Sequence, residues 1–151
     1  MANYHTSNNR TENCIFGQLN ASTISKHSEV VINKFMADHN IQLLAAQETG
    51  TWDPSPSLFT NHRIFQNKGP NDPARAGVAL IINKALAPEH IGDLKDTNID
   101  AVWAQIKLNG RRILVGSVYC RPTDGSNLLN DLLKHMEKML VYKQKHGYTS
   151  F

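Results

Sequence analysis

The sequence is short of several features that would assign it to a class at once. No apolar run approaches the roughly 18 residues that cross a bilayer, so we expect no membrane-spanning segment. The two cysteines, Cys14 and Cys120, lie too far apart in sequence to suggest a metal-binding pair or a disulfide framework. The polar stretch 1–13 lacks the apolar centre of a signal peptide. We therefore expect an intracellular protein, nuclear or cytoplasmic, rather than a secreted one.

Several catalytic motifs are missing too. The chain has no glycine-rich dinucleotide motif, no P-loop, no His-Glu-x-x-His and no Gly-x-Ser-x-Gly. Its seven histidines form no recognisable ligand pair, and we expect most of them at the surface. The net charge of +3 is too small to indicate a nucleic-acid partner by itself. What remains is a globular composition, 40% hydrophobic and 19% charged, in a chain of 151 residues that suits a single domain.

Apolar runs alternate with a helical pattern in the first third of the chain. The runs 14–20 and 41–48 are of strand length, and the segment 24–39 between them has helical periodicity. This order predicts a right-handed crossover between two parallel strands. The residues predicted to form the buried face of the helix are Ile24, Val30, Val31 and Phe35.

The strongest local signal is a hairpin. The runs 101–108 and 111–119 flank Asn109-Gly110, the favoured two-residue turn, which sets Ile106 opposite Ile113. Both faces of this hairpin are apolar, so we expect helices to cover one face and a second sheet the other. Further strands are predicted at 62–66 and 77–82, and a second helix from Ser126 or Asn127 to about Lys143. The predicted apolar face of that helix is Leu128, Leu129, Leu132, Leu133, Met136 and Leu140.

Three polar residues each end an apolar strand: Asn20, Glu48 and Tyr119. If their strands share one edge, the three side chains converge there, where ligands bind in open α/β sheets. A carboxylate such as Glu48 can hold Mg²⁺, which prefers oxygen ligands and polarises phosphoryl groups. The alternative is that each residue only caps a strand where the chain meets water, and the three residues alone leave that open.

The order of several segments resembles one known family. These are Leu19-Asn20, Leu44-Ala45-Ala46-Gln47-Glu48-Thr49, Arg75-Ala76-Gly77-Val78-Ala79-Leu80, Ala101-Val102-Trp103 and Gly116-Ser117-Val118-Tyr119-Cys120-Arg121-Pro122. They resemble the endonuclease/exonuclease/phosphatase superfamily, and more narrowly the apurinic-type endonuclease domain of non-LTR retrotransposons. The resemblance implies a four-layer α/β/β/α sandwich, truncated at its C-terminal side. It implies a tail over 1–13, a partial domain over 14–141 and an unmatched segment over 142–151.

The resemblance also implies roles for individual residues. Asn20 would position the reacting phosphate and the nucleophile, Glu48 would bind Mg²⁺ or Mn²⁺, and Tyr119 would contact the scissile phosphate. Arg75 and Arg121 would lie along a nucleic-acid groove. Members of the superfamily continue after the second helix into an Asp-x-Asn motif and later a Ser-Asp-His motif, which supply the activated water and the transition-state histidine. We expect both motifs to be missing here.

Three hypotheses follow. The chain is a Mg²⁺-dependent DNA endonuclease domain; or it is an inactive, truncated remnant that at most binds nucleic acid or a complementary fragment; or it is an unrelated α/β binding protein. We favour family membership, with inactivity for the isolated chain. Arg111, Arg112 and Arg121 near the hairpin favour DNA slightly among the superfamily's substrates. The sequence does not indicate an oligomeric state.

Overall fold

The computed structural model describes residues 14–67, 76–96, 98–120 and 127–148; the predicted tail 1–13 lies outside these ranges. The first sheet has strand order β1-β2-β4-β3. Its strands are β1 (Ile15–Asn20), β2 (Ile41–Gln47), β3 (His62–Asn67) and β4 (Val78–Asn83). The pairing of β1 with β2 is parallel, as predicted, whereas β4 runs antiparallel to both of its neighbours.

The second sheet contains the predicted hairpin. Its strands are β5 (Glu89–His90), β6 (Asp100–Leu108) and β7 (Arg111–Tyr119), in the order β5-β6-β7. The predicted register is confirmed, because Ile106 pairs with Ile113 in an antiparallel ladder. Asn109 and Gly110 both have positive φ, 52° and 74°, as a type I′ turn requires.

Two helices complete the fold, and capping residues set their ends. Helix α1 (Lys26–Asp38) begins after Ser25, whose hydroxyl accepts a hydrogen bond from the Ser28 backbone N–H at 3.1 Å. Helix α2 (Leu128–His146) ends at Gly147, which has φ 67°, the left-handed conformation common just past a helix end. Thus α2 runs past its predicted end at Lys143. Neither helix in these ranges combines the length and apolarity needed to cross a bilayer.

The elements stack in four layers. Helix α1 packs its Ile32 and Met36 onto the first sheet. The two sheets face each other through an aliphatic core, and α2 covers the outer face of the second sheet. The central core comprises Leu43, Val78, Leu80, Ile82, Leu86, Val102, Ala104, Ile106 and Ile113. The predicted sandwich and the two-sided covering of the hairpin are therefore confirmed.

The predicted buried stripe of α1 is wrong for three of its four residues. Val30, Val31 and Phe35 are about half exposed, and only Ile24 is buried. The face that docks is centred on Ile32 and Met36 and includes the buried Glu29. An apolar pattern could not find this face, because one of its members is a carboxylate whose hydrogen bonds come from a loop.

The predicted face of α2 is displaced in the same way. Leu129, Leu133, Met136 and Leu140 are exposed. The docked residues are Leu132, which was predicted, and His135, Met139 and Tyr142, which were not. A polar residue, His135, again lies at the centre of the docking face. A prediction based on apolar residues alone could not include it and therefore placed the face too far to one side.

Apolar surface is left uncovered around β1. Within the described ranges β1 pairs only with β2, so its other edge is open. Ile15 and Phe16 are 45% and 48% exposed. Between this strand and α1 lies a groove of about 340 Å³, lined mainly by apolar side chains that include Leu19, Val31 and Phe35.

Candidate active site

The structure brings Asn20, Glu48 and Tyr119 to one end of the sandwich. In the parallel ladder Asn20 pairs with Gln47, so Asn20 and Glu48 leave adjacent strands at the same edge. Tyr119 ends β7 in the other sheet, and its hydroxyl donates a hydrogen bond to Glu48 Oε1 at 2.5 Å. Strand ends from both sheets therefore meet at a partly exposed carboxylate.

The backbone holds Glu48 in an uncommon conformation. Its φ is 54°, in the left-handed region that few residues other than glycine adopt. The Glu48 carbonyl accepts a hydrogen bond from Thr23 N at 2.7 Å, and Thr49 N donates to Gly77 O at 3.3 Å. The residue is thus fixed between the loop before α1 and the start of β4. Such outliers concentrate at functional sites, which makes this position a reasonable candidate.

A buried glutamate secures the loop that follows Glu48. Glu29 on α1 is 1% exposed and accepts hydrogen bonds from Trp52 Nε1 at 2.9 Å, Ser55 N at 3.2 Å and Ser55 Oγ. Burial by itself would raise the pKa of the Glu29 carboxyl, but the hydrogen bonds from Ser55 and Trp52 outweigh it and hold that pKa below its usual value of 4.5. Sequence reasoning missed Glu29, and no local pattern marks it.

The other two predicted residues differ in how they are held. Asn20 is exposed, and its Oδ1 accepts a hydrogen bond from Ser22 N at 3.3 Å, which fixes the side chain at the turn. Tyr119 pairs across the hairpin with Asp100, which is buried and accepts a hydrogen bond from Gly77 N at 3.0 Å. Asp100 therefore ties the start of β6 to the residue that precedes β4, a role the sequence did not reveal.

Two of the four predicted arginines, Arg111 and Arg112, lie away from this site. Arg75 and Arg121 lie outside the described residues. Arg111 and Arg112 lie at the hairpin turn, the far end of β7 from Tyr119, a separation of about 25 Å at the usual strand rise. Arg112 instead donates to His146 O at 2.5 Å and stacks over the Tyr148 ring. Arg111 and Arg112 therefore lie outside the candidate site, and the slight preference for DNA that they gave remains a prediction.

The sequence does contain an Asp-x-Asn triplet, Asp96-Thr97-Asn98, so the expectation that this pattern is missing needs correction. The triplet precedes β6 rather than following α2. Asp96 Oδ1 accepts a hydrogen bond from Asn98 N at 2.8 Å, and Asp96 Oδ2 lies 3.0 Å from His135 Nδ1. Its carboxylate thus stabilises the turn at Asn98 and contacts His135 of α2. No Ser-Asp-His triplet occurs in the chain.

His135 is an exception to the expectation that most of the histidines lie at the surface. It is 1% exposed, and its Nε2 accepts a hydrogen bond from Trp103 Nε1 at 2.9 Å. An accepting Nε2 leaves the proton on Nδ1, which then donates to Asp96. The ring is therefore a structural bridge between α2 and the second sheet.

The site suits a sparsely coordinated Mg²⁺ rather than a dedicated metal cage. The described residues contain no group of three metal-ligating side chains. Mg²⁺ keeps several waters and commonly binds through one or two carboxylates. One partly exposed carboxylate, Glu48, with the amide of Asn20 on the adjacent strand, fits that mode of binding.

No protein-family model matches the chain, and comparison with curated proteins gives no match either. Solved structures do match. The endonuclease domain of TRAS1, a telomere-specific non-LTR retrotransposon, has a TM-score of 0.60 and 18% identity over 81% of this chain and 51% of its own. TDP2 from Caenorhabditis elegans has a TM-score of 0.60 and 14% identity, covering 84% and 42%. The AP endonuclease LMAP from Leishmania major has a TM-score of 0.56 and 14% identity, covering 84% and 46%.

All three are members of one superfamily. The chain has the endonuclease/exonuclease/phosphatase fold. The fold class implied by the family resemblance is thereby confirmed. The chain spans about half the length of the endonuclease/exonuclease/phosphatase structures that it matches. The roles of Asn20, Glu48 and Tyr119 remain predictions.

Proposed function

We propose that this chain carries the metal- and phosphate-contacting part of a Mg²⁺- or Mn²⁺-dependent phosphodiester hydrolase that acts on DNA. The observation that carries the proposal is the hydrogen bond from the Tyr119 hydroxyl to Glu48, which joins strand ends of both sheets at an accessible carboxylate. The fold supports it, since the similar structures include a retrotransposon endonuclease domain and an AP endonuclease.

Each residue has a role that its chemistry allows. Glu48 would hold the ion, and bound Mg²⁺ supplies positive charge that stabilises the developing charge on a phosphodiester. The Asn20 amide can donate to a phosphate oxygen or orient a nucleophile. The Tyr119 hydroxyl has one proton to donate, so it bonds either to Glu48 or to a substrate oxygen. Substrate binding would therefore change the partner of Tyr119.

We propose further that the isolated chain hydrolyses DNA very slowly. A positioned general base contributes about 10²–10⁴-fold, and removing one transition-state donor costs about 10²–10³-fold. The Asp-x-Asn triplet that could have supplied the base lies before β6 with its carboxylate bound to His135, and these 151 residues contain no Ser-Asp-His triplet. This specific departure favours the second candidate function, binding of metal and DNA without appreciable turnover.

Metal binding and nicking can be measured separately. Titration of Mn²⁺ followed by electron paramagnetic resonance should show saturable binding that Glu48→Gln abolishes. The matched control, Glu89→Gln, changes an exposed glutamate on β5 and should leave binding unchanged. Binding that is identical in wild type and Glu48→Gln would refute the metal site.

Nicking of supercoiled plasmid with Mg²⁺ tests the catalytic part of the proposal. We expect little or no nicking by the wild-type chain, together with measurable retention of DNA. Robust nicking that Glu48→Gln removes would overturn the expectation of inactivity while supporting the metal site. Absence of both DNA retention and nicking would refute DNA as the partner.

A further inference from the structure

The geometry of the site depends on how two sheets are aligned. Glu48 directly follows β2 of the first sheet, and Tyr119 ends β7 of the second. Their hydroxyl–carboxylate distance is therefore fixed only if the sheets keep one alignment. The core between the sheets is aliphatic over most of its area. Apolar packing is non-directional, so it sets the separation of the sheets more strictly than their sideways alignment.

A polar bridge between β2 and β7 crosses this aliphatic layer beside the site, in addition to the hydrogen bond from Gly77 N to Asp100. Gln47 Nε2 donates a hydrogen bond to Ser117 Oγ at 3.0 Å, and the Ser117 hydroxyl in turn donates to Ala46 O at 3.1 Å. Gln47 is 6% exposed and Ser117 1%. Gln18 Nε2 donates to Gln47 Oε1 at 3.4 Å and helps to orient the amide. Ser117 on β7 is thus bonded to two consecutive residues of β2.

The position of the bridge is informative. Gln47 immediately precedes Glu48, and Ser117 lies two residues before Tyr119 on the same face of β7. The residues that precede them on these two faces are apolar: Leu43 and Ala45 on β2, and Ile113 and Val115 on β7. Along these two strand faces the layer becomes polar at the end where Glu48 and Tyr119 meet.

Stability alone does not require this polarity. Replacing both partners of a buried hydrogen bond by apolar groups of similar shape can be nearly neutral for stability, whereas removing one partner leaves a costly unsatisfied group. A leucine and an alanine would continue the aliphatic layer at these two positions. They would not supply a directional contact between the sheets.

We propose that Gln47 and Ser117 are positioning residues, whose bridge aligns β2 with β7 so that the Tyr119 hydroxyl meets the Glu48 carboxylate. They act through Glu48 and Tyr119. The consequence for metal affinity rests on the proposed function, whereas the consequence for the Glu48–Tyr119 contact does not.

A double-mutant series separates positioning from stability. Ser117→Ala should lower Tm, because it leaves the buried Gln47 amide without its acceptor. Gln47→Leu should lower Tm less, because the Ser117 hydroxyl keeps its hydrogen bond to Ala46 O. The double variant should regain most of the lost Tm but bind Mn²⁺ about tenfold or more weakly than wild type, the usual effect of losing a contact behind a metal ligand. The matched control is Gln105→Leu with Tyr148→Phe, which removes another buried side-chain hydrogen bond, of 3.0 Å. It should leave Mn²⁺ affinity unchanged.

A second readout needs no metal. In protein labelled with 3-fluorotyrosine, the ¹⁹F resonance assigned to Tyr119 by Tyr119→Phe should shift in Glu48→Gln. The double variant should shift in the same direction, and the control pair should not. A shift without any Mn²⁺ binding in the wild type would refute the proposed metal site yet support the positioning role. A double variant that keeps both the wild-type resonance and the wild-type Mn²⁺ affinity would overturn this inference.

Discussion

Trp103 lies directly against Gly116, its partner across the β6–β7 hairpin. A Cβ built on Gly116 would come within 2.4 Å of the indole ring, closer than any real contact allows. Gly116→Ala should therefore destabilise the fold by about 1–3 kcal/mol, the usual cost of overpacking. Urea unfolding would measure it. Gly92→Ala, where nothing lies within 4 Å of the added Cβ, should cost far less, and equal losses would show that the indole can move aside.

His135 should be essential for the docking of α2. Substitution by leucine would leave the Trp103 indole N–H without its acceptor in the core and remove the partner of Asp96. We expect a loss of about 1–3 kcal/mol, the cost of an unsatisfied buried donor.

Circular dichroism melts would measure the loss, and Trp103 fluorescence should shift to the red as α2 loosens. The matched control is His27→Leu at an exposed position of α1, which should change the unfolding free energy by less than about 0.5 kcal/mol. Comparable losses at the two positions would contradict the assigned bridge.

Glu29 should contribute to acid sensitivity. Its pKa in the folded protein is lowered below 4.5, so the folded state favours the ionised carboxylate more than the unfolded state does. The contribution to stability is complete above the unfolded pKa and is lost as pH falls from about 4.5 through the folded value.

Unfolding free energies measured from pH 7 to pH 3 would test this contribution. In Glu29→Gln the curve should be lower at pH 7, by about 1.5–3 kcal/mol for a charged hydrogen-bond acceptor, and flatter below pH 4.5. Parallel curves for the variant and the wild type would show that another carboxyl causes the loss of stability at low pH.

The apolar groove between β1 and α1 should promote self-association. Val31 and Phe35 are more than half exposed, so Val31→Glu and Phe35→Lys should remove little packing and leave Tm nearly unchanged. They should reduce binding of the dye ANS and the aggregation rate measured by light scattering. Ile32→Glu, on the docked face of the same helix, should instead unfold the protein. A large drop in Tm for Phe35→Lys would mean that the helix face has been assigned wrongly.

Much of the architecture was predictable because the decisive signals are local. The Asn109-Gly110 turn fixed the hairpin register, and strand-length apolar runs located β1, β2 and β4. The helix faces were not predictable in this way. Glu29 and His135 are buried because Trp52, Ser55, Trp103 and Asp96 reach them from elsewhere in the chain.

The residues of the candidate site also differ in whether a local sequence signal reveals them. Asn20, Glu48 and Tyr119 stood out because a polar residue directly after an apolar strand is visible in sequence. Gln47 and Ser117 are part of the apolar runs, and only the facing of two sheets shows that they meet. The left-handed conformation of Glu48 also depends on partners before α1 and at the start of β4.

The hydrogen bond between Glu48 and Tyr119 spans 71 positions of the chain, so the two groups are neighbours only when the sheets are docked. An ion bound there would have no comparable site in the unfolded chain. Its binding free energy would therefore add to the free energy of unfolding, by about 2.7 kcal/mol at a free concentration one hundred times Kd. The melting temperature of this protein would then depend on the divalent-ion concentration of its surroundings.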